Sequence, residues 1–362
     1  MPPVALVEST NASYHPSYTP MAIFVGATSG VGQAMAEALA RQTNGRAHII
    51  IIGRSASAAS KILAGFPKPP DEDGSWKHEF VACDATSLRN VRAVCDALKS
   101  RLTRLNYLVM TAGGPDANSF TSAGETEEGV NKHLVMRYFM RYLFTQDLVP
   151  LLLSAKEQGQ QAHAMCVQGA GFGARIRTDD LGLHNAVRRS WKLLNGKVMP
   201  SVAAIKGMIT GVTYNDGLVA YFATKHPIIT FTHIHPGQVL TPGGTNVDLG
   251  WLFAPLAWIM KRVRMRIALE QDERAKYMLY ALLDQATDRG GIYIRGECGD
   301  IVSAHGFDSD FKSLFDDLET ATLSSKYGVL QGIPMKGYGG SDASVAGLIR
   351  YTNEVLAGIL KN

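Results

Sequence analysis

Cysteine is sparse in this chain of 362 residues: there are four, Cys83, Cys95, Cys166 and Cys298. They form no Cys-x2-Cys pair and no metal-ligand spacing, which argues against a disulfide framework or a structural zinc site and for reduced, mostly buried thiols in a cytoplasmic protein. Long apolar runs are also missing, since no segment reaches the ~18 uninterrupted apolar residues of a membrane span. Charge is modest, with 19% of residues charged and a formal net charge of +4. No dense basic stripe interleaved with aromatics is present, so nucleic acid is not an expected partner. Residues 1–20 are polar and lack the apolar core of a signal segment, and read as an N-terminal extension. Internal repeats are absent. What is there is 46% hydrophobic, enough for one globular domain with a sizeable core.

The most informative stretch is Gly26-Ala27-Thr28-Ser29-Gly30-Val31-Gly32, preceded by the apolar run Ile23, Phe24, Val25. Val31, Met35 and Leu39 then recur one turn apart, so the pattern is strand, glycine turn, helix. A diphosphate approaching the backbone needs glycine where a Cβ would intrude, and a helix N-terminus offers free N–H groups and the positive dipole end. A tight turn without a ligand is the alternative. A second strand, His48 to Ile52, ends in Gly53-Arg54-Ser55. An acidic residue at this strand end binds a ribose 2′-hydroxyl, whereas an arginine accommodates a 2′-phosphate. Arg54 with no carboxylate beside it favours NADP(H), the alternative being a solvated surface arginine.

Gly-x3-Gly-x-Gly after a strand resembles the cofactor turn of the short-chain dehydrogenase/reductase family, and further matches follow in that family's order. Asp84, after a third strand at Phe80 to Cys83, stands where the family binds the adenine amino group; a local cap is the alternative. After a fourth strand, Leu105 to Met110, Thr111-Ala112-Gly113-Gly114 keeps only Ala112-Gly113 of the family's Asn-Asn-Ala-Gly. Thr241, beyond Pro236-Gly237, resembles the residue that holds the nicotinamide carboxamide. The resemblance thus implies cofactor contacts from Gly26, Thr28, Ser29, Gly30, Val31, Gly32, Arg54, Ser55, Asp84, Ala112, Gly113 and Thr241.

The catalytic pattern departs from the family. On a long helix expected from about Glu127 to Leu153, Arg137 replaces the asparagine that holds a proton-relay water. It suits a cofactor phosphate, a substrate carboxylate or a neighbouring acid. Gln168, after a fifth strand at Ala164 to Val167, stands where the family's serine polarises a carbonyl. The literal Tyr-x3-Lys at Tyr221 to Lys225 is a decoy, because it lies just before His226-Pro227 and only sixteen residues before Gly237. Counting back from the sixth strand, Ile229 to Ile234, gives Lys206 and Thr210, or Val212 and Asp216. Lys206, Tyr214 and Asp216 are the ionisable candidates for proton transfer, or else they cap, pair or face solvent.

Stretches such as Met136-Arg137-Tyr138-Phe139-Met140-Arg141, Phe231 to Gly237 and Tyr277 to Leu283 resemble a fungal branch of the family often encoded beside natural-product genes. The implied fold is α/β: a doubly wound parallel sheet of the Rossmann type with about seven strands and helices on both faces. Residues 240–275, with the basic apolar segment Trp251 to Arg266, are expected as a substrate lid, membrane contact being the alternative. Ser344 is expected to cap a last helix to Lys361 that packs on the core or on a second copy in a homo-oligomer. The implied activity is NADP(H)-dependent carbonyl reduction or alcohol oxidation of a hydrophobic small molecule. The alternatives are a non-redox isomerase, cyclase or dehydratase, in which Arg137, Tyr214 or Asp216 acts as acid or base, and a cofactor-binding protein without turnover.

Overall fold

The computed structural model describes residues 2–69, 76–113, 124–170, 176–184, 202–237, 239–240, 269–285, 288, 290–299 and 342–361. After α1 (Val4–Ala12), the chain alternates strand and helix: β1 (Met21–Val25), α2 (Gly30–Gln42), β2 (His48–Gly53), α3 (Ala56–Ala64), β3 (Lys77–Ala82), α4 (Leu88–Lys99), β4 (Tyr107–Met110). A short turn at Lys132–Leu134 and a π-helical turn at Val135–Phe139 lead into α5 (Met140–Glu157), then β5 (His163–Val167), α6 (Val202–Lys225) and β6 (Thr230–Ile234). The pair β7 (Val239–Leu240) and β8 (Leu269–Glu270), α7 (Gln271–Leu283), β9 (Gly291–Arg295) and α8 (Asp342–Leu360) follow.

Seven strands form one sheet in the order β3-β2-β1-β4-β5-β6-β9, every pair parallel. The alternation of side chains splits the core in two. Ile23, Val25, Ile50 and Ile52 face the layer of α4, α5, α6 and α8. Ala22, Phe24, Ile49 and Ile51 face the layer of α2, α3 and α7. Each fully buried aliphatic or aromatic side chain contributes roughly 1.5–3 kcal/mol, which is why apolar runs mark the inner strands, whereas the edge strand β3 runs Lys77–Ala82 and not Phe80 to Cys83. The order reverses direction between β1 and β4, and in such sheets ligands bind outside the carboxyl ends of the strands at that switch point.

Several expected boundaries moved. The long helix begins at Lys132, not Glu127, because Asn131 caps it by accepting the N–H groups of His133 (3.0 Å) and Leu134 (3.2 Å). Glu128 lies outside the helix and instead accepts from Ser87 Oγ (2.8 Å) and the N–H groups of Leu88 (2.7 Å) and Arg89 (3.1 Å), closing the start of α4. Ser344 sits inside α8, which already begins at Asp342. That helix packs on the core: Tyr138 and Thr352 share a 2.8 Å hydroxyl bond and Tyr142 donates to Asn353 Oδ1 at 3.0 Å. The extension is not loose, since α1 lies on α7 with Asn11 Nδ2 donating to the Lys276 carbonyl at 3.0 Å. Thr241 and Trp251 to Arg266 fall outside the described residues, as does most of 240–275. No helix among the described residues is long and apolar enough to cross a membrane.

Candidate active site

The glycine turn at the end of β1 is built for close approach. Gly26 has φ +88° and Gly30 φ +64°, conformations that L side chains rarely adopt. A Cβ on Gly26 would stand 2.5 Å from Ala112 Cα, so the β1 turn and the end of β4 touch through backbone. Thr111 Oγ donates to the Val25 carbonyl at 3.1 Å and the Gly26 carbonyl at 3.2 Å, tying the two strand ends together. Ser29 occupies the N-cap of α2 in an extended conformation and makes no side-chain capping bond. The amides opening α2 are therefore available to an external anion. Ala112-Gly113, Arg54-Ser55 and Asp84 follow the neighbouring strands β4, β2 and β3, so the described cofactor candidates share one sheet edge.

Within that edge the local roles differ. Arg54 is exposed. Ser55 caps α3, its Oγ accepting the Ala58 N–H at 3.2 Å. Asp84 Oδ1 accepts from the Thr86 N–H (3.0 Å) and hydroxyl (2.8 Å), so part of this carboxylate shapes a local turn. Thr28 lies against Gly53, where a Cβ would come within 2.7 Å of its methyl group.

Beside this edge, at the end of β5, is a polar cluster. Arg141, on the first turn of α5 and 2% exposed, donates through Nη1 to the Arg137 carbonyl (2.9 Å) and Gln168 Oε1 (2.8 Å). Its Nη2 reaches the carbonyls of Ala112 (3.0 Å) and Val167 (3.3 Å). Burial pushes this guanidinium down to about 10, so it stays charged at neutral pH. The turn around Arg137 is π-helical, and its carbonyl accepts side-chain donors. Asn215 of α6 bonds that carbonyl through Nδ2, and also donates to Gln168 Oε1 (2.7 Å) and the Gly211 carbonyl (2.7 Å). The half-buried Arg137 side chain runs across Gly211, where a Cβ would lie 3.0 Å from Arg137 Cδ. Burial, and the like charge of Arg141, push Arg137 down to about 9.

A family-level sequence profile described as short chain dehydrogenase matches residues 20–169. The oxidoreductase andH of Emericella variicolor is 31% identical over 72% of this chain and 69% of its own length. The chain belongs to the short-chain dehydrogenase/reductase family. Another relative, the polyprenol dehydrogenase of Homo sapiens, is 28% identical over 76% of this chain and 77% of its own length. Among solved structures, the MalC reductase/Diels-Alderase of Malbranchea aurantiaca superposes with a TM-score of 0.51 at 18% identity, over 80% of this chain and 98% of that one, which bears on the fold alone.

For a member of this family the catalytic face is unusual. Positions 211 and 215 of α6 face Arg137 and Gln168, and they carry glycine and asparagine. Neither counted register, 206/210 or 212/216, is the one turned to the cluster. Tyr221 and Lys225 lie at the other end of α6, where the Lys225 ammonium sits 5.8 Å from the centre of the Tyr221 ring. That end is about 15 Å from Gly211 at ~1.5 Å per residue. Tyr214 is 2% exposed, donates to the Leu181 carbonyl at 3.1 Å and packs edge-on against Tyr138. Burial raises its pKa well above that of an ordinary phenol. Asp216 is fully buried and bonds His233 Nδ1 at 2.6 Å. Lys206 is half-buried in the first turns of α6, next to Gly207, where a Cβ would meet the His133 ring. Arg141, Asn215 and Thr111 were not singled out from sequence. Their one signal was a charged or polar residue inside an otherwise apolar run.

Proposed function

We propose that this protein is an NADP(H)-dependent oxidoreductase of the carbonyl reductase or alcohol dehydrogenase type, acting on a hydrophobic small molecule in fungal secondary metabolism. The observation that carries this reading is the turn at Gly26 to Gly32, with two glycines at positive φ and an uncapped helix start beside the switch point. Val31 and Gly32 would present amides to the diphosphate, Thr28 and Ser29 their hydroxyls, and Ala112-Gly113 the floor beneath the inner ribose. Arg54 would hold the 2′-phosphate, supported by its exposure at the end of β2 with no carboxylate in Gly53-Arg54-Ser55. A bound nicotinamide supplies the hydride. Lys206 or Tyr214 of α6 supplies the proton in this reading; the Tyr214 hydroxyl would have to give up its bond to the Leu181 carbonyl to do so. The apolar substrate class draws support from the polyprenol dehydrogenase relative, whose name specifies a long apolar alcohol.

Calorimetry with NADPH and NADH tests the reading. NADPH is expected to bind more tightly, and Arg54→Glu to weaken NADPH by about 10-fold or more, the equivalent of one lost charge-assisted hydrogen bond, while NADH is unaffected. Absence of uptake of either dinucleotide overturns the oxidoreductase assignment. The Gly211 and Asn215 pair in place of tyrosine and lysine favours a second reading, a non-redox isomerase, cyclase or dehydratase. Product formed by protein stripped of cofactor would select it.

A further inference from the structure

The amide of Gln168 has one possible orientation. Arg141 carries only donors, so the Gln168 atom 2.8 Å from Nη1 is the oxygen. Asn215 is oriented in the same way, because the atom that meets the Arg137 and Gly211 carbonyls must be its NH2 group. That same NH2, whose two hydrogens are shared among the three acceptors, lies 2.7 Å from Gln168 Oε1 and donates to it. Both strong acceptor directions of Oε1 are thus filled from protein. The side-chain hydrogen bonds of Gln168 to described residues both end on Oε1, so Nε2 points away from those two donors, and Gln168 is half-buried rather than sealed. It stands at the carboxyl end of β5, beside β4. Two strand spacings of ~4.8 Å separate it from β1, within the span of a dinucleotide laid along the edge from the glycine turn.

We propose that the Gln168 carboxamide is the electrophilic group of this site, its Nε2–H donating to the oxygen of the substrate carbonyl, with Arg141 and Asn215 as positioning residues. The inference rests on the oxidoreductase reading and adds to it the group that holds the reacting oxygen. Two features raise a glutamine above an ordinary amide donor. The guanidinium on Oε1 withdraws electron density through the amide and strengthens the N–H that remains. The four-point hold on Arg141, from the carbonyls of Met136, Arg137, Ala112 and Val167, fixes the amide before substrate arrives, so no reorganisation accompanies charge development on the oxygen. The same saturation makes Gln168 a donor only. The site therefore selects a carbonyl or oxyanion and offers no acceptor to a substrate hydroxyl at this point.

The test is steady-state oxidation of NADPH with two carbonyl probes, 9,10-phenanthrenequinone and acetophenone, with NADPH affinity measured calorimetrically in parallel. Gln168→Met, which keeps the length and removes the donor, is expected to lower kcat roughly 100-fold, the usual loss on removing one oxyanion donor. NADPH affinity should stay within about twofold of the unaltered protein. Asn215→Asp, which cannot donate to Oε1, should lower kcat with little change in KM, a split that mere loss of packing would not produce; Asn215→Ala serves if that variant fails to fold. A Gln168→Met enzyme with undiminished kcat overturns the proposal. So does an unaltered protein that binds NADPH yet reduces neither probe, in which case the cofactor assignment survives. If NADPH does not bind at all, the oxidoreductase reading itself falls.

Discussion

Asp216 and His233 share one proton inside the protein. Both are fully buried and 2.6 Å apart. Burial raises the carboxyl well above the usual carboxylate range and holds the imidazole well below its ordinary value, helped by the nearby charge of Arg141. Neither partner is stable there as a lone ion, so the pair joins α6 to β6 as a single hydrogen-bonded unit. Asp216→Ala leaves His233 Nδ1 without its partner and is expected to cost roughly 1–3 kcal/mol, read as a shift in the denaturant midpoint, whereas Asp216→Asn should cost clearly less. At this scale the sequence was legible where one residue type answers one covalent demand, as the glycines of the β1 turn do. It was opaque where function depends on a meeting of distant side chains. Gln168 is 27 residues from Arg141 and 47 from Asn215, and no periodicity announces which polar residues of two helices turn inward to meet a strand end.

Among the elements, strand positions were readable where a strand is an apolar run buried on both faces, as β1 and β4 are; β3, at the sheet edge, carries Lys77, His78 and Glu79 and so begins three residues before the expected Phe80. Helix starts were harder to place. At α4 the local cap is the readable part, Ser87 Oγ accepting the Asn90 N–H, whereas Glu128, from a different segment, satisfies three further donors at once. Glu128→Ala is expected to cost about 1–2 kcal/mol, in line with loss of a strong cap, and to raise hydrogen exchange over the first turn of α4 before any other helix responds. The start of α2 is governed by contact. A Cβ at Gly32 would press on Thr111 Oγ1 and lie 2.8 Å from the Gly26 carbonyl. Gly32→Ala should therefore destabilise by roughly 1–3 kcal/mol through overpacking, and Thr111→Ala in the same chain should recover part of that loss. Only part is recoverable, because the Gly26 carbonyl is backbone and cannot be trimmed. The register of α6 escaped sequence counting for a related reason: the loop lengths on either side of it are set by this chain alone, and a slip of one residue turns a helix by about 100°.

For the molecule as a whole, several histidines are held neutral by the fold. His163 shows the logic: Nδ1 lies 3.0 Å from the Leu282 carbonyl and Nε2 lies 2.7 Å from Thr232 Oγ1. A carbonyl only accepts, so Nδ1 carries the proton and Nε2 takes the threonine's. Burial, against a smaller opposing contribution from the Leu282 carbonyl, pushes this imidazole down to about 3. His48, His78 and His235 are shifted the same way, chiefly by burial. Below a pH of about 6.5 the unfolded chain binds protons that the folded chain refuses. The stability from His163 is therefore complete above about 6.5 and is lost as pH falls towards about 3. Melting temperature should decline steadily from pH 6.5 to 4, and His163→Gln should flatten that decline by on the order of 1 kcal/mol per pH unit once its own baseline cost is subtracted. A profile unchanged by the substitution would contradict the assigned tautomer and burial. Glu79 acts further down the scale. Arg101 (2.6 Å), Lys77 (3.0 Å) and His48 (2.9 Å) overcome its burial and hold its carboxyl at about 2, so its share disappears only in stronger acid.

The crossing of Arg137 over Gly211 also bears on which replacements this helix can accept. Gly211→Tyr with Asn215→Lys would restore, on paper, the spacing of a conventional proton donor and its helper. A phenol ring at 211 needs the volume that the arginine stem now fills, and a lysine at 215 would bring a third cation beside Arg137 and Arg141. Neither replacement is tolerable while Arg137 stays, and losing Arg137 first empties a cavity beside the π-helical turn. Installing that pair thus demands at least three coordinated changes, which makes the triple variant a sharper engineering target than any single one.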